Sequence, residues 1–517
     1  MPRARRLVLL ASTTLAVCVG ACKGDGGSAT TLIDHGSCDV LIECASSIAP
    51  AAREGYENTY GANGVCWQNP NPMAWAVCRD ACKKALDAIN LGAMSSGETC
   101  GTCSSHADCS EFGVDAFCDA GICNGGGGGG GGSGDGDGDG DGDGDGDSDK
   151  PPEAVSILLV IDNSGSMGEE QQKLIAGISD LVAPIENAGI PWRLGVTTTD
   201  NGNPWCQPGA TTPEGGKLVF EPCTTRLDDF LFGPDVNMQS VCTNVCDTNS
   251  VTTIPSTTLS DPDTKPRPWI ESSGGQTNLA NGMGVVEALR CIVPQGVNGC
   301  GFESQLESAA LTVARAGSSN ENEYGFVEDG RLLVIVFVSD EADCSYNPDW
   351  SSIFDDQGAK AFWSDPSDPY PTSAVCWNAG VNCVGDPSGY DSCDPADKAI
   401  DGTTTSDPDA AVLYPVQRFV DAYSEDGPVL TFGILGVEDN GEAVYADATI
   451  TDPGFQDSYG IGPGCTNFEG DAAVPPVRMR SVLEQLAPEK AQASYSICAS
   501  DFGPALSEIG TTIVAEF

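Results

Sequence analysis

Residues 154–161 read Ala154-Val-Ser-Ile-Leu-Leu-Val-Ile161 and run directly into Asp162-Asn163-Ser164-Gly165-Ser166-Met167-Gly168. The first eight residues are apolar and β-branched with a single polar interruption, Ser156. Such a run suits a strand covered on both faces, the setting found in parallel sheets. The polar stretch after it is a loop, and a helix is expected over roughly Glu169–Asn187. The same alternation continues downstream. Strands are expected at Pro191–Thr199, Arg331–Ser339, Pro428–Val437 and Ala493–Cys498, and helices at Phe302–Ala316, Tyr414–Tyr423 and Gly503–Ala515. Strands alternating with helices predict an α/β domain with a central, mostly parallel sheet flanked by helices. Ligands of such sheets sit beyond the carboxyl ends of the strands.

Two of these strands end in acid. The first ends at Asp162, with Ser164 and Ser166 on the following loop, and the most hydrophobic strand ends at Ser339-Asp340-Glu341-Ala342-Asp343. The Asp-x-Ser-x-Ser pattern between a buried strand and a helix resembles the metal-ion-dependent adhesion site of von Willebrand factor A domains. The order of strands and helices over 153–517 fits the same Rossmann-like fold. The resemblance implies a divalent cation, Mg2+ or else Mn2+ or Ca2+, held at Asp162, Ser164, Ser166 and Asp340. Magnesium is small and hard, and takes oxygen ligands near ~2.1 Å in an octahedron. Neutral serine ligands leave the ion electrophilic, so an open position can take a carboxylate from a protein partner.

The family also uses a threonine from a later loop. Thr277, within Gly274-Gly275-Gln276-Thr277-Asn278, matches the local pattern but stands far from Asp340 in sequence. The loop Gly296-Val297-Asn298-Gly299-Cys300 is better placed and holds no threonine, although Glu303 follows it and could substitute.

Insertions enlarge the domain at about 200–272 and 343–412, both rich in Asp, Pro, Gly, Ser, Thr and cysteine. Their cysteines are expected to pin them as ordered lobes, with Cys291–Cys300 and Cys465–Cys498 as further plausible pairs. Trp205, Trp350, Trp363 and Trp377 in or beside them read as lobe cores more readily than as binding anchors.

The amino-terminal third is organised differently. Arg3, Arg5 and Arg6 precede the apolar run Leu7–Ala21, which ends Val19-Gly20-Ala21-Cys22. A basic start and a short apolar stretch read as a secretory signal over 1–21, too short to span a bilayer, which takes ~20 residues. The small residues before Cys22 resemble the lipobox of bacterial lipoproteins, which implies lipidation of Cys22 and, with Lys23 rather than aspartate next, an outer-membrane address. The membrane would then be reached through the lipid anchor alone. Residues 22–37 form a tether and 38–123 a small cysteine-rich region. Residues 124–152 form a linker whose glycines and Asp-Gly repeat have no apolar side chain to bury. Ten cysteines lie between Cys38 and Cys123 and twelve between Cys206 and Cys498, so disulfides within each block are expected in an oxidising compartment.

Composition narrows the function. The 517 residues carry a net charge of −51, with 24 basic against 75 acidic side chains. Nucleic acid, which needs clustered Lys and Arg, is excluded as a partner. The two histidines, His35 and His106, both precede the linker, so the C-terminal domain holds no Ser-His-Asp triad and no His-ligated zinc. The expectation is a non-enzymatic envelope lipoprotein presenting a metal-dependent adhesion or assembly domain. The alternatives are a structural lipoprotein with an inert site and, more remotely, a metal-assisted hydrolase using paired carboxylates such as Asp340 and Asp343.

Overall fold

A computed structural model describes residues 151–517, apart from 207–210, 212, 234–235, 426, 468–469 and 488–491, together with an antiparallel hairpin of Phe117–Asp119 and Ile122–Asn124. The signal, Cys22, His35, His106, the rest of the cysteine-rich region and the Asp-Gly tract lie outside the described residues. The chain separates into two units, Met1–Gly144 and Asp145–Phe517.

The second unit is built on a seven-stranded sheet. The strands are β1 (Ala154–Ile161), β2 (Trp192–Thr198), β3 (Ile270–Ser273), β4 (Gln276–Thr277), β5 (Arg331–Val338), β6 (Val429–Leu435) and β7 (Ser494–Ser496), in the order β7-β6-β5-β1-β2-β3-β4. The five strands from β7 to β2 are parallel, and β3 and β4 add an antiparallel edge. The main helices are α1 (Gly168–Ala188), α2 (Val285–Ile292), α3 (Gln305–Ala316), α4 (Val416–Ser424), α5 (Val477–Leu486) and α6 (Gly503–Val514).

The period of two along β1 sends its side chains to both faces. Val155, Ile157, Leu159 and Ile161 pack with apolar side chains of α1, α2 and α6, while Leu158 and Val160 pack with those of α3, α4 and α5. Every one of these strand residues is fully buried, and each such burial contributes roughly 1.5–3 kcal/mol. That is why β1 shows no polar/apolar alternation in sequence. Helices α1 and α6 approach closely at glycine: a Cβ at Gly177 would come 2.9 Å from the Gly503 nitrogen.

The expected strands and helices are all present, most with ends shifted by one to three residues. One shift matters: α3 begins at Gln305 rather than Phe302, which leaves Phe302, Glu303 and Ser304 in the loop before it. The short strands β3 and β4, helices α2 and α5 and a hairpin of Val381–Asp386 with Gly389–Pro395 are additions to the expected elements.

All twelve cysteines from Cys206 to Cys498 are joined, as Cys206–Cys300, Cys223–Cys242, Cys246–Cys291, Cys344–Cys376, Cys383–Cys393 and Cys465–Cys498. The expected Cys291–Cys300 bridge is therefore corrected. Cys291 on α2 reaches back to Cys246, and Cys300 ties the loop before α3 to the first insertion. The second insertion has its own core, in which Trp363 packs with Ile353, Phe354 and Phe362; Trp377 is buried nearby, whereas Trp205 is exposed. Among the described residues no helix is long and apolar enough to cross a membrane.

At the amino edge of the parallel strands, charges are matched. Arg193 bonds Glu328 at 2.7 Å and Glu271 at 3.3 Å. Arg267 bonds Asp261 at 2.8 Å, and both guanidinium groups lie close to the Trp269 ring centre, at 5.5 and 5.7 Å.

Candidate metal centre

The site begins where β1 ends. Ile161 pairs with Val338 of β5, so the next residues on the two strands, Asp162 and Ser339, emerge side by side at the carboxyl edge. The Asp162 carboxylate is fully buried. One oxygen accepts from the Ser164 backbone N–H at 2.8 Å, and the other from the Ser339 hydroxyl at 2.6 Å. This folds the loop back so that the hydroxyls of Ser164 and Ser166 meet at 3.2 Å. Ser164 is buried and Ser166 exposed. A serine here could instead serve as the cap of the next helix. It does not: Met167 occupies the cap position of α1, with no side-chain cap bond.

Gln171, on the first turn of α1, sets the adjoining loop. Its amide nitrogen donates to the carbonyls of Asp162 at 3.0 Å and Gly296 at 2.6 Å, and its oxygen accepts from the N–H groups of Gln295 and Gly296 at 2.8 and 3.1 Å. Farther along the same loop, the Gly299 N–H donates to the Asn163 carbonyl at 2.7 Å. Glycine is required there, since a Cβ would lie 2.3 Å from Asn163 Oδ1. The loop before α3 is thus fastened to the serine loop, and it brings in Glu303.

Four carboxyl groups meet at this edge: Asp162, Glu303, Asp340 and Glu341. Burial is the largest influence on all four and pushes each carboxyl up from its ordinary range, Glu303 and Asp340 well above it and Glu341 to about 7. Mutual repulsion adds to this, with Asp162 acting on the other three. The Tyr459 hydroxyl, facing the same group, is pushed up mainly by Glu341. No lysine or arginine stands among the main influences on any of the four. Both oxygens of Glu303 and Oδ1 of Asp340 are buried and accept from no N–H or hydroxyl, and the Glu303 and Glu341 carboxyls lie within hydrogen-bonding reach of each other. Asp340 retains a bond with Ser166, and its carbonyl accepts from Val474 at 2.7 Å.

The neighbouring Asp343 is different. Arg478 bonds it at 2.9 Å, and it also accepts from the Leu306 N–H and the Ser345 hydroxyl. It is a neutralised structural group, so Asp340 and Asp343 do not form a free acid–base pair.

The structure brings together four of the five sequence-predicted metal residues: Asp162, Ser164, Ser166 and Asp340. It does not bring Thr277. Gly274 and Gly275, with φ of 56° and 76°, form the two-residue turn that joins β3 to β4, as such hairpins require. Thr277 pairs with Ser272, and Ser272 with Trp192 at the start of β2. It therefore lies at the amino edge of the sheet, opposite the serines. Glu303 lies on the loop before α3, which holds no threonine, while Glu341 carried no sequence signal beyond its place in an acidic strand end.

Among the described residues no three Asp, Glu, His or Cys side chains form a ready-made ligand set. The donors that do converge are mixed, two hydroxyls with carboxylates, all hard oxygen and suited to magnesium, manganese or calcium. The orphaned oxygens of Glu303 and Asp340 fit such an ion. A cavity of about 500 Å3 adjoins the site, with Phe232, Phe302, Ser373 and Tyr459 among its walls. No family model matches the chain, and no curated protein matches it either.

Proposed function

We propose that the protein is a cell-envelope lipoprotein, anchored through Cys22, whose C-terminal domain is of von Willebrand factor A type and binds a protein partner through a divalent cation. Asp162, Ser164, Ser166 and Asp340 would hold the ion, and the partner would present an acidic residue. The observation that carries this reading is the meeting of the serine loop and Asp340 on adjacent strand ends, beside buried carboxylate oxygens that have no partner of their own. A cation supplies the positive charge that no side chain there provides. No catalytic step is assigned to the site.

Calorimetric titration of magnesium, manganese and calcium into the oxidised full-length chain tests the reading. It should reveal a saturable site that the Asp162→Ala, Ser164→Ala double variant lacks. A short glutamate-containing peptide should then bind the loaded protein and be released by EDTA. Equal peptide binding by wild type and double variant would sink the mechanism.

The depth of Asp162 and Glu303, both at most 1% exposed, favours a second reading in which the ion chiefly holds the loops in place. It requires that cation binding persist with no effect of the peptide.

A further inference from the structure

We propose that Glu303 is itself a ligand of the cation and that, through it, the site selects calcium over magnesium. This rests on the cation-binding reading above and adds to it a residue and the identity of the ion.

Glu303 is 1% exposed, and neither of its carboxylate oxygens accepts from an N–H or a hydroxyl; what stands within hydrogen-bonding reach is the Glu341 carboxyl, another acid. Its backbone, by contrast, is fixed from several sides. Its carbonyl accepts from the Cys344 N–H at 2.7 Å, and the next residue, Ser304, donates from its N–H to the Thr199 carbonyl at 3.0 Å. Cys300, three positions earlier, is bridged to Cys206. A rigid backbone thus holds this carboxyl against that of Glu341 and near Asp162, with no basic group or neutral donor on it. Proteins rarely leave a buried charge without a partner, and metal coordination is one of the few arrangements that resolves it. One proton shared between Glu303 and Glu341 is the competing resolution, and the test separates the two.

The choice of ion follows from the ligand count. Calcium takes six to eight oxygens, accepts carboxylates through one or both atoms, and gains affinity with ligand charge. Magnesium keeps an octahedron and several waters, and usually takes one or two carboxylates. Asp162 and Asp340 already supply the one or two carboxylates that magnesium takes, and Glu303 is a third. Because no three of these side chains stand as a ready-made set, they would have to close around the ion, which calcium's flexible geometry accommodates and a strict octahedron does not. Ser164 and Ser166 add neutral oxygens.

The oxidised full-length chain is titrated calorimetrically with calcium chloride and, separately, with magnesium chloride. Wild type is compared with Glu303→Gln and with the Asp162→Ala, Ser164→Ala double variant. The Asp-Gly tract is common to all three, so its diffuse binding cancels in the differences. Wild type should bind calcium at least tenfold tighter than magnesium. Glu303→Gln should lose at least tenfold in calcium affinity and most of that preference. Thermal melting gives an independent readout. In EDTA Glu303→Gln should melt at or above the wild-type temperature, because a buried repulsion is gone; in calcium it should melt below it. Should Glu303→Gln fail to fold, Glu303→Asp carries the test, with weaker calcium binding and unchanged melting in EDTA. Magnesium preference in wild type, unaltered calcium affinity in the variant, or an equal melting loss in both buffers would overturn the proposal. Identical isotherms for wild type and the double variant would instead remove the cation site altogether.

Discussion

At the amino edge of the sheet, buried carboxylates stand beside guanidinium groups; at the carboxyl edge they stand beside one another. Glu328 and Asp261 each have an arginine at bonding distance. Lys265 and then Arg267 hold the Asp261 carboxyl down at about 2. Asp162, Glu303, Asp340 and Glu341 are all pushed the other way. The same chain, folded around the same strands, completes its charge pairs at one edge and, Asp343 with Arg478 apart, leaves them open at the other. A buried pair that is already complete resists change. An incomplete one is resolved by protonation or by a cation from outside.

The largest effect should come from making a complete pair incomplete. Arg478→Ala leaves Asp343 buried without its partner and should cost about 3–5 kcal/mol, measured by urea unfolding. The loss should be the same in EDTA and in calcium. If calcium restored it, Asp343 would belong to the open cluster after all. Next comes the fastening of the two loops. Gly299→Ala drives a Cβ into Asn163 and should cost roughly 1–3 kcal/mol through overpacking, with a clear drop in cation affinity by calorimetry. Unchanged affinity would mean that the serine loop does not depend on its neighbour.

A smaller effect is expected from pH. The four carboxyls are raised above their unfolded values, so the folded state holds more protons than the unfolded one over that interval. Stability in EDTA should fall as pH rises from about 5 through 7, where Glu341 sits, with roughly 2 kcal/mol from that group alone. Saturating calcium keeps the carboxylates ionised and should flatten the slope. An equal slope in both buffers would show that the cation is elsewhere. The smallest effect belongs to Thr277→Val, which should leave cation affinity unchanged and stability within about 0.5 kcal/mol. A large loss of affinity would return Thr277 to the site against its position in the hairpin.

How far the sequence discloses all this depends on the range of the interaction concerned. The run Ala154–Ile161 reveals its strand because burial on both faces is written into eight adjacent residues. Asp162, Ser164 and Ser166 are legible because one short loop carries all three. Asp340 follows from the same logic on the neighbouring strand. Thr277 misleads because a local pattern around two glycines is equally a hairpin turn, and only the register of β3 against β2 shows which edge it occupies. Glu303 looks like the first turn of α3 until Gln305 begins the helix. Its importance comes from Cys344, Thr199 and Glu341, which are distant in the chain. The same holds for Arg478, whose partner lies 135 residues away, and for the Cys206–Cys300 and Cys246–Cys291 pairings.

Two of the disulfides bracket the open cluster: Cys206–Cys300 holds the loop that carries Glu303, and Cys344–Cys376 holds the segment just after Asp340 and Glu341. Whatever binds the finished site therefore also favours these bridges by linkage. Reductant and chelator should act as allies, each making the other more damaging. An oxidising environment and a supply of divalent cation would reinforce one another in the same way, so maturation of the thiols and capture of the ion become one coupled equilibrium.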